Sequence, residues 1–404
     1  MDMQDMAKAQ TNPAHRPPRR PKSDVIVVGA GPAGSTAAAM LARRGVRVLL
    51  VDRESFPRPK ACGDVVPLGC FVALREIGLT EIHFPHFRIG QVALQGEEGA
   101  ERRFTLAPRP GLGTCVVPRS IFDEALFHHA LACGAEYRRL NIRGPILHGS
   151  QVVGVAGTGV RGAVEEYGRV VIAADGATSA MARALCGADR RDHEWAVALR
   201  AYVNTDAQLD DAIELAFLDA VQPGYAWFFP VTNHRANVGI GMRSDFYRRQ
   251  PHTLAELLTG YLGRPELAAR IGRNAMEEPK AWPVPLFHFD KPRVFPGALL
   301  AGDAGGFVHP ITAAGIYPAI ITGLCAAQAT LDALAAGDLS RAGLAAYDTH
   351  WRQALADEFR PAVTASRLST AFPHLVAAAL LHVQPAGPAN PSLKIDAPFA
   401  GGKF

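Results

Sequence analysis

The sequence predicts an α/β fold: a parallel sheet wound with helices, interrupted by an inserted antiparallel sheet and closed by a C-terminal helical segment. Three observations predict it. The β-branched run Val25-Ile26-Val27-Val28 feeds three glycines, Gly29, Gly31 and Gly34, and an Ala-rich helical pattern follows. Two later apolar runs, residues 170–174 and 298–301, end in Asp175-Gly176 and Gly302-Asp303. Between them, residues 195–243 alternate with period two, as strands buried on one face do.

A chain of 404 residues, 48% of them hydrophobic, is long enough to bury a large core and divides into two domains. Residues 23–80, 119–190 and 295–345 make the Rossmann-like nucleotide-binding domain, and residues 81–118 and 191–294 the inserted substrate-binding sheet domain. Residues 346–404 form C-terminal helices and an irregular tail. The polar, Pro-rich residues 1–22 read as a disordered tail that carries +3 of the +4 net charge. A nearly neutral body argues against nucleic acid as a partner. Cysteines 62, 70, 115, 133, 186 and 325 show no C-x-x-C pair and no metal-ligand spacing, which suits reduced thiols in the cytoplasm and no bound metal. No uninterrupted apolar run reaches the ~18 residues of a membrane span. The short apolar stretch 375–381 is expected to be buried, and contact with an anionic membrane through the N-terminal Arg-Pro cluster is peripheral at most.

Each element has its reason. Gly29 permits the tight turn, Gly31 lets a pyrophosphate approach the backbone, and Gly34 lets the helix lie close on the sheet. The phosphates would face the helix N-terminus, where free N–H groups attract anions. A second strand over residues 46–51 ends in Asp52, placed to accept hydrogen bonds from a ribose. Residues 53–64, crowded with prolines and charge, form a loop on the ligand side of the sheet. Arg119 opens a helix, where a cation is disfavoured by the dipole, which points either to an arginine that reaches an anion or to a simple surface arginine. In the hairpin from 225 to 242, Tyr225, Trp227 and Phe229 share one face and Ala226 and Phe228 the other. Asp303 is placed to bind a ribityl or ribose hydroxyl. The N–H groups around Ala314, Gly315 and Ile316, at the start of an Ala-rich helix, face an electron-rich heterocycle.

The motifs Gly29-Ala30-Gly31-Pro32-Ala33-Gly34, Ala174-Asp175-Gly176 and Gly302-Asp303-Ala304 resemble the three FAD motifs of para-hydroxybenzoate hydroxylase-like flavoproteins. More narrowly, the chain resembles the geranylgeranyl reductase family, through Phe56-Pro57-Arg58-Pro59-Lys60-Ala61-Cys62-Gly63-Asp64, Arg119 with Phe122-Asp123, Pro223-Gly224-Tyr225-Ala226-Trp227-Phe228-Phe229-Pro230 and Asn237-Val238-Gly239-Ile240-Gly241. The resemblance implies FAD held by Gly29, Gly31, Gly34, Asp52, Arg119, Asp303 and the loop ending at Gly315, with Asp175, Gly302 and Ile316 beside it. It also implies an apolar isoprenoid substrate under the sheet that carries Tyr225, Trp227 and Phe229. Two positions depart from the family pattern. Ala313-Ala314-Gly315 stands where Gly-Glu-Gly is usual, and Val65 where a further glycine is common.

Reduction of an alkene requires hydride at one carbon and a proton at the other. The sequence offers Cys62, Tyr225 and His309 as proton donors; the alternative for His309 is a hydrogen bond to its own loop. Lys60 and Gly63 belong to the pocket, Lys60 as a ligand for a substrate phosphate or as a solvated surface group. The electron donor is NAD(P)H or a reduced ferredoxin-type protein. Because the same fold runs oxygen chemistry, the main rival is a flavin monooxygenase of a hydrophobic metabolite. A flavin halogenase and a non-catalytic flavin-binding lipid carrier stand behind it.

Overall fold

A computed structural model of the chain describes residues 21–80, 84–97, 99, 101–106, 113–187 and 191–372. The expected N-terminal tail, apart from residues 21 and 22, and the apolar stretch 375–381 lie outside the described residues.

The larger sheet has eight strands. Its parallel centre runs Ala298–Leu300, Gly162–Ala173, Ser23–Val28, Val48–Asp52 and Glu136–Arg139, and the short Val294–Phe295 closes one edge antiparallel. The strands read as continuous apolar runs because both faces are covered. Val25, Val27, Leu50 and Ile172 point into a core shared with the helices Pro32–Arg43, Arg119–Ala132 and Ile316–Ala336. Ile26, Leu49, Val171 and Leu300 point the other way, onto Leu140, Val152, Val155 and Met181. The glycine turn is sterically committed. Gly29 has φ +97°, and a Cβ on Gly34 would lie 1.8 Å from the Gly29 carbonyl oxygen.

The helix Ile316–Ala336 is long and apolar enough by composition to cross a membrane, but 67% of its apolar window is buried inside the protein. It is the central core helix, and a Cβ at Gly323 would lie 2.4 Å from the Ala33 carbonyl oxygen.

The second sheet has seven strands, in the order Glu277–Pro285, Trp195–Asn204, Arg235–Arg243, Gly224–Thr232, Ala212–Ala216, Gln91–Gln95 and Glu101–Thr105. It differs from the expected antiparallel sheet at one junction: Ala212–Ala216 pairs parallel with Gln91–Gln95. These two strands come from separate stretches of chain, and parallel neighbours need a long crossover rather than a hairpin. The strand Glu277–Pro285, with Pro279, Pro283 and Pro285, carries no clear strand signal in the sequence; it is tolerated because it lies at the sheet edge. One face of this sheet packs Phe228, Val238 and Ile240 against the helices Leu254–Leu262 and Pro265–Ile271. The other face carries Tyr225, Trp227 and Phe229 and turns towards the first sheet. All six cysteines are free.

Candidate functional site

A cavity of about 690 Å³ lies between the C-terminal ends of the parallel strands and the aromatic face of the second sheet. Ligands collect at this end of a parallel α/β sheet because loops diverge there and helix N-termini point at it.

At one end, Gly29 and Gly31 line the cavity. A Cβ on Gly31 would stand in contact with Arg58 Nη2 at 3.5 Å, so a guanidinium lies beside the glycine backbone on the cavity side. Gly34 does not line the cavity; it acts through packing. Asp52 is 8% exposed, and its carboxylate accepts from the Ala30 N–H at 2.7 Å and the Glu54 N–H at 2.9 Å. These bonds aim it from the strand tip into the cavity mouth. Asp175 contributes its turn to the wall, but its carboxylate caps the helix Ala180–Cys186, accepting from Ser179 Oγ and the N–H groups of Ala180 and Met181.

In the middle, Lys60 Nζ lies 2.9 Å from Asp303 Oδ2. Lys60 is therefore neither a solvated surface group nor a free phosphate ligand: its ammonium is neutralised. Burial raises the Asp303 carboxyl's affinity for protons, yet the charges of Lys60, Arg119 and Lys291 outweigh it and hold the pKa below its usual value. Gly302 and Asp303 form a 3₁₀ turn braced from behind by Arg293, which is 1% exposed and donates to the Gly305, Lys291 and His288 carbonyls. Gly315 caps the helix Ile316–Ala336, and both Gly315 and Ile316 face the cavity. Ala313, where the family pattern has glycine, keeps a left-handed backbone with φ +53°.

Of the two readings of Arg119, the buried side chain takes the first and reaches an anion, but the anion is internal. It makes a two-pronged pair with Asp123, at 2.6 and 2.8 Å, while Arg58 approaches the same carboxylate at 3.3 Å. Burial opposes the Arg119 charge, but Asp123 and the adjacent Cys62 raise its pKa overall.

The three proton-donor candidates separate. Cys62 lines the cavity beside Arg119. Tyr225 also lines it, but its hydroxyl donates to the Thr312 carbonyl and its pKa is pushed up by burial. His309 is corrected: it does not line the cavity, and its Nδ1 accepts from the Ile311 and Thr312 N–H groups at 3.3 and 3.1 Å. Burial lowers its pKa to about 4, so the neutral ring braces the loop.

The far wall is aromatic. Tyr225, Trp227 and Phe229 stand in a row with ring centroids 6.1 and 6.2 Å apart. Gly63 lies flat on this wall, where a Cβ would sit 2.8 Å from Phe229 Cε2. Sequence reasoning singled out neither Arg200 nor Tyr202, and gave Asp64 and Asn237 no role beyond their motifs. Arg200 is a cation 3% exposed in the middle of the apolar strand Trp195–Asn204, and that misplaced charge was the available signal.

The family described as an FAD binding domain matches residues 22–359. The chain is 31% identical over 349 residues to digeranylgeranylglycerophospholipid reductase 1 of Methanopyrus kandleri, covering 83% of this chain and 88% of that one. It is 32% identical over 314 residues to the menaquinone reductase of Mycobacterium tuberculosis, covering 76% of each. Among solved structures, a geranylgeranyl bacteriochlorophyll reductase-like protein from Thermoplasma acidophilum superposes with a TM-score of 0.76 at 25% identity, covering 90% of this chain and 88% of that one. The glycine turn with Arg58 beside it, the acid-tipped strands and the helix end at Gly315 fit FAD. The chain therefore belongs to the FAD binding domain family and, within it, to the geranylgeranyl reductase family of FAD-dependent oxidoreductases.

Proposed function

We propose that the chain reduces carbon–carbon double bonds in the isoprenoid part of a hydrophobic substrate. The observation that carries this reading is a single cavity whose phosphate-cradling end runs on to a wall of three aromatic rings. An alkene offers no polar handle, so apolar and aromatic contacts must hold it. Bound and reduced, FAD supplies the hydride for one alkene carbon. The protein supplies the rest. Gly29, Gly31, Asp52 and Asp303 hold the cofactor, with Arg119 orienting the loop beside it. The N-terminal end of the helix Ile316–Ala336 favours negative charge next to Gly315. Cys62 delivers the proton, since it lines the cavity beside Arg119 while the Tyr225 hydroxyl is engaged and His309 lies outside the lining. The names of the reductase relatives support the substrate class. Electrons come from NAD(P)H or a reduced ferredoxin-type protein, and the chain works in the cytoplasm with at most peripheral membrane contact.

The test is anaerobic. Purified holoprotein is reduced with dithionite, an unsaturated prenylated glycerophospholipid, which has no quinone ring to take the electrons, is added, and flavin reoxidation is followed with mass analysis of the product. The expected result is reoxidation with a gain of two mass units, slowed about 100-fold in Cys62→Ala with FAD content unchanged. A flavin that stays reduced until oxygen is admitted, with a gain of sixteen mass units, would make the protein a monooxygenase instead.

A further inference from the structure

The turn Cys62-Gly63-Asp64 belongs to the chain that cradles the cofactor, yet it is tied to the second sheet through one buried amide. Asn237, fully buried on the strand Arg235–Arg243, accepts from Trp227 Nε1 at 2.9 Å through its Oδ1. Its Nδ2 donates to the Cys62 carbonyl and to Asp64 Oδ2, each at 2.7 Å. Asp64 Oδ2 also accepts from the Tyr202 hydroxyl at 2.6 Å. Asn237 thus has its acceptor on the aromatic wall and its donors on the turn. All three partners agree on its orientation: an indole N–H can only donate, while the Cys62 carbonyl and the Asp64 carboxylate can only accept, and Asp64 supplies the charged acceptor.

The hub is not built for stability. Asp64 is fully buried, and its Oδ1 has no hydrogen-bond partner among the described residues; the same holds for Nε and Nη1 of the neighbouring Arg200. Arg200 stacks on the Tyr202 ring at 4.4 Å and Arg235 lies 4.7 Å from the same centroid, while Arg200 Nη2 donates to the Lys60 carbonyl at 3.3 Å. An under-satisfied buried polar group is costly. Its place here, between the wall and the thiol-bearing turn, points to a role beyond packing.

We propose that Asp64 is a positioning residue: its charged bonds to Asn237 and Tyr202 anchor the amide that joins the Trp227 indole to the Cys62 carbonyl, so that a substrate on the aromatic wall and the Cys62 thiol keep a set distance. The rate effect rests on the proposed reduction; the structural coupling does not. The carboxylate titrates in an accessible range. Burial raises its pKa to about 6, against the opposing pull of Tyr202, Asn237, Arg200 and Arg119, the groups that face it from the second sheet and from the helix Arg119–Ala132. Protonation, for which the unpartnered Oδ1 is free, would remove the negative charge and weaken the charge-assisted bonds that Oδ2 accepts from Asn237 and Tyr202.

Two readouts test this on the holoprotein. The first is the indole ¹⁵N–¹H resonance of Trp227, one of four tryptophans, assigned by its loss in Trp227→Phe. It should shift with pH around a midpoint near 6 in the wild type and stay still in Asp64→Asn. Tyr202→Phe, which removes one bond to the ionised carboxylate, should move the midpoint upwards. The second is anaerobic reoxidation of the reduced flavin by the prenyl substrate. Asp64→Asn should lower the maximal rate about tenfold, abolish its acid limb and leave FAD content unchanged. A Trp227 resonance that ignores pH in the wild type, a Tyr202→Phe midpoint that does not move, or an Asp64→Asn rate equal to wild type would each overturn the proposal. If the resonance titrates and no prenyl substrate reoxidises the flavin, the coupling stands and the proposed reaction is wrong.

Discussion

At the residue scale, charges and donors are spent internally before any ligand arrives. Arg119 is held by Asp123, Lys60 by Asp303, and the Tyr225 hydroxyl by Thr312. Asp64 departs from this rule, with φ +65° and a folded pKa of about 6 against an ordinary value of 3.8. The sign follows directly. A carboxyl that binds its proton more tightly in the folded state is most favourable to folding when protonated, and that contribution is lost as pH rises from about 4 through about 6. Measured by urea unfolding, the stability of wild type relative to Asp64→Asn should therefore improve by up to about 3 kcal/mol between pH 7.5 and pH 4. A difference independent of pH would mean that Asp64 is not buried as described. Cys62 and Asp64 could be quoted from the sequence as a motif, but nothing in it says which neighbour fills each hydrogen bond. Asn237 lies 175 residues from Cys62 and 173 from Asp64, and Tyr202 lies 138 from Asp64.

At the element scale, the hairpin made by Gly224–Thr232 and Arg235–Arg243 shows how strand pairing shapes the wall. Trp227 stands opposite Gly239, and Gly239 stands opposite Arg200 on the next strand. A Cβ on Gly239 would lie 2.1 Å from Trp227 Cζ2 and 2.5 Å from the Leu199 carbonyl oxygen, and backbone cannot yield as a side chain does. Gly239→Ala should destabilise the protein by about 1–3 kcal/mol and displace the indole, lowering both the thermal midpoint and the rate with prenyl substrate. A variant with wild-type stability and rate would remove Trp227 from the wall. The period-two alternation foretold which face Tyr225, Trp227 and Phe229 share, and the structure has it so. It missed the strand Glu277–Pro285, because proline suppresses the strand signal in a sequence while an edge position tolerates it. It also left His309 open, since whether an imidazole faces a cavity or its own loop depends on how residues 309–315 close.

At the scale of the whole molecule, the cofactor end and the aromatic wall belong to different sheets, so binding at one end bears on the stability of the assembly. A ligand that binds only the folded state adds about 2.7 kcal/mol when its free concentration is 100 times the dissociation constant. Stripping FAD should lower the unfolding midpoint, and returning it should restore the midpoint in a concentration-dependent way. Asp303→Ala should show a smaller gain at the same FAD concentration, because the cavity-lining carboxylate placed to bind a cofactor hydroxyl would be gone. Equal gains in both proteins would take Asp303 out of the cofactor site.

By itself the sequence determined the α/β class, the glycine turn, the three acid-tipped strands and the alternation of the roof strands. These depend on local backbone sterics and on the period of apolar residues, which adjacent residues carry. Only the tertiary structure decided that Arg119 meets Asp123, that Lys60 is paired with Asp303, that His309 faces away from the cavity and that Asn237 joins Trp227 to the Cys62 turn. Each of these depends on which distant side chain lies within about 3 Å, and that distance is set by how two sheets pack rather than by any spacing along the chain.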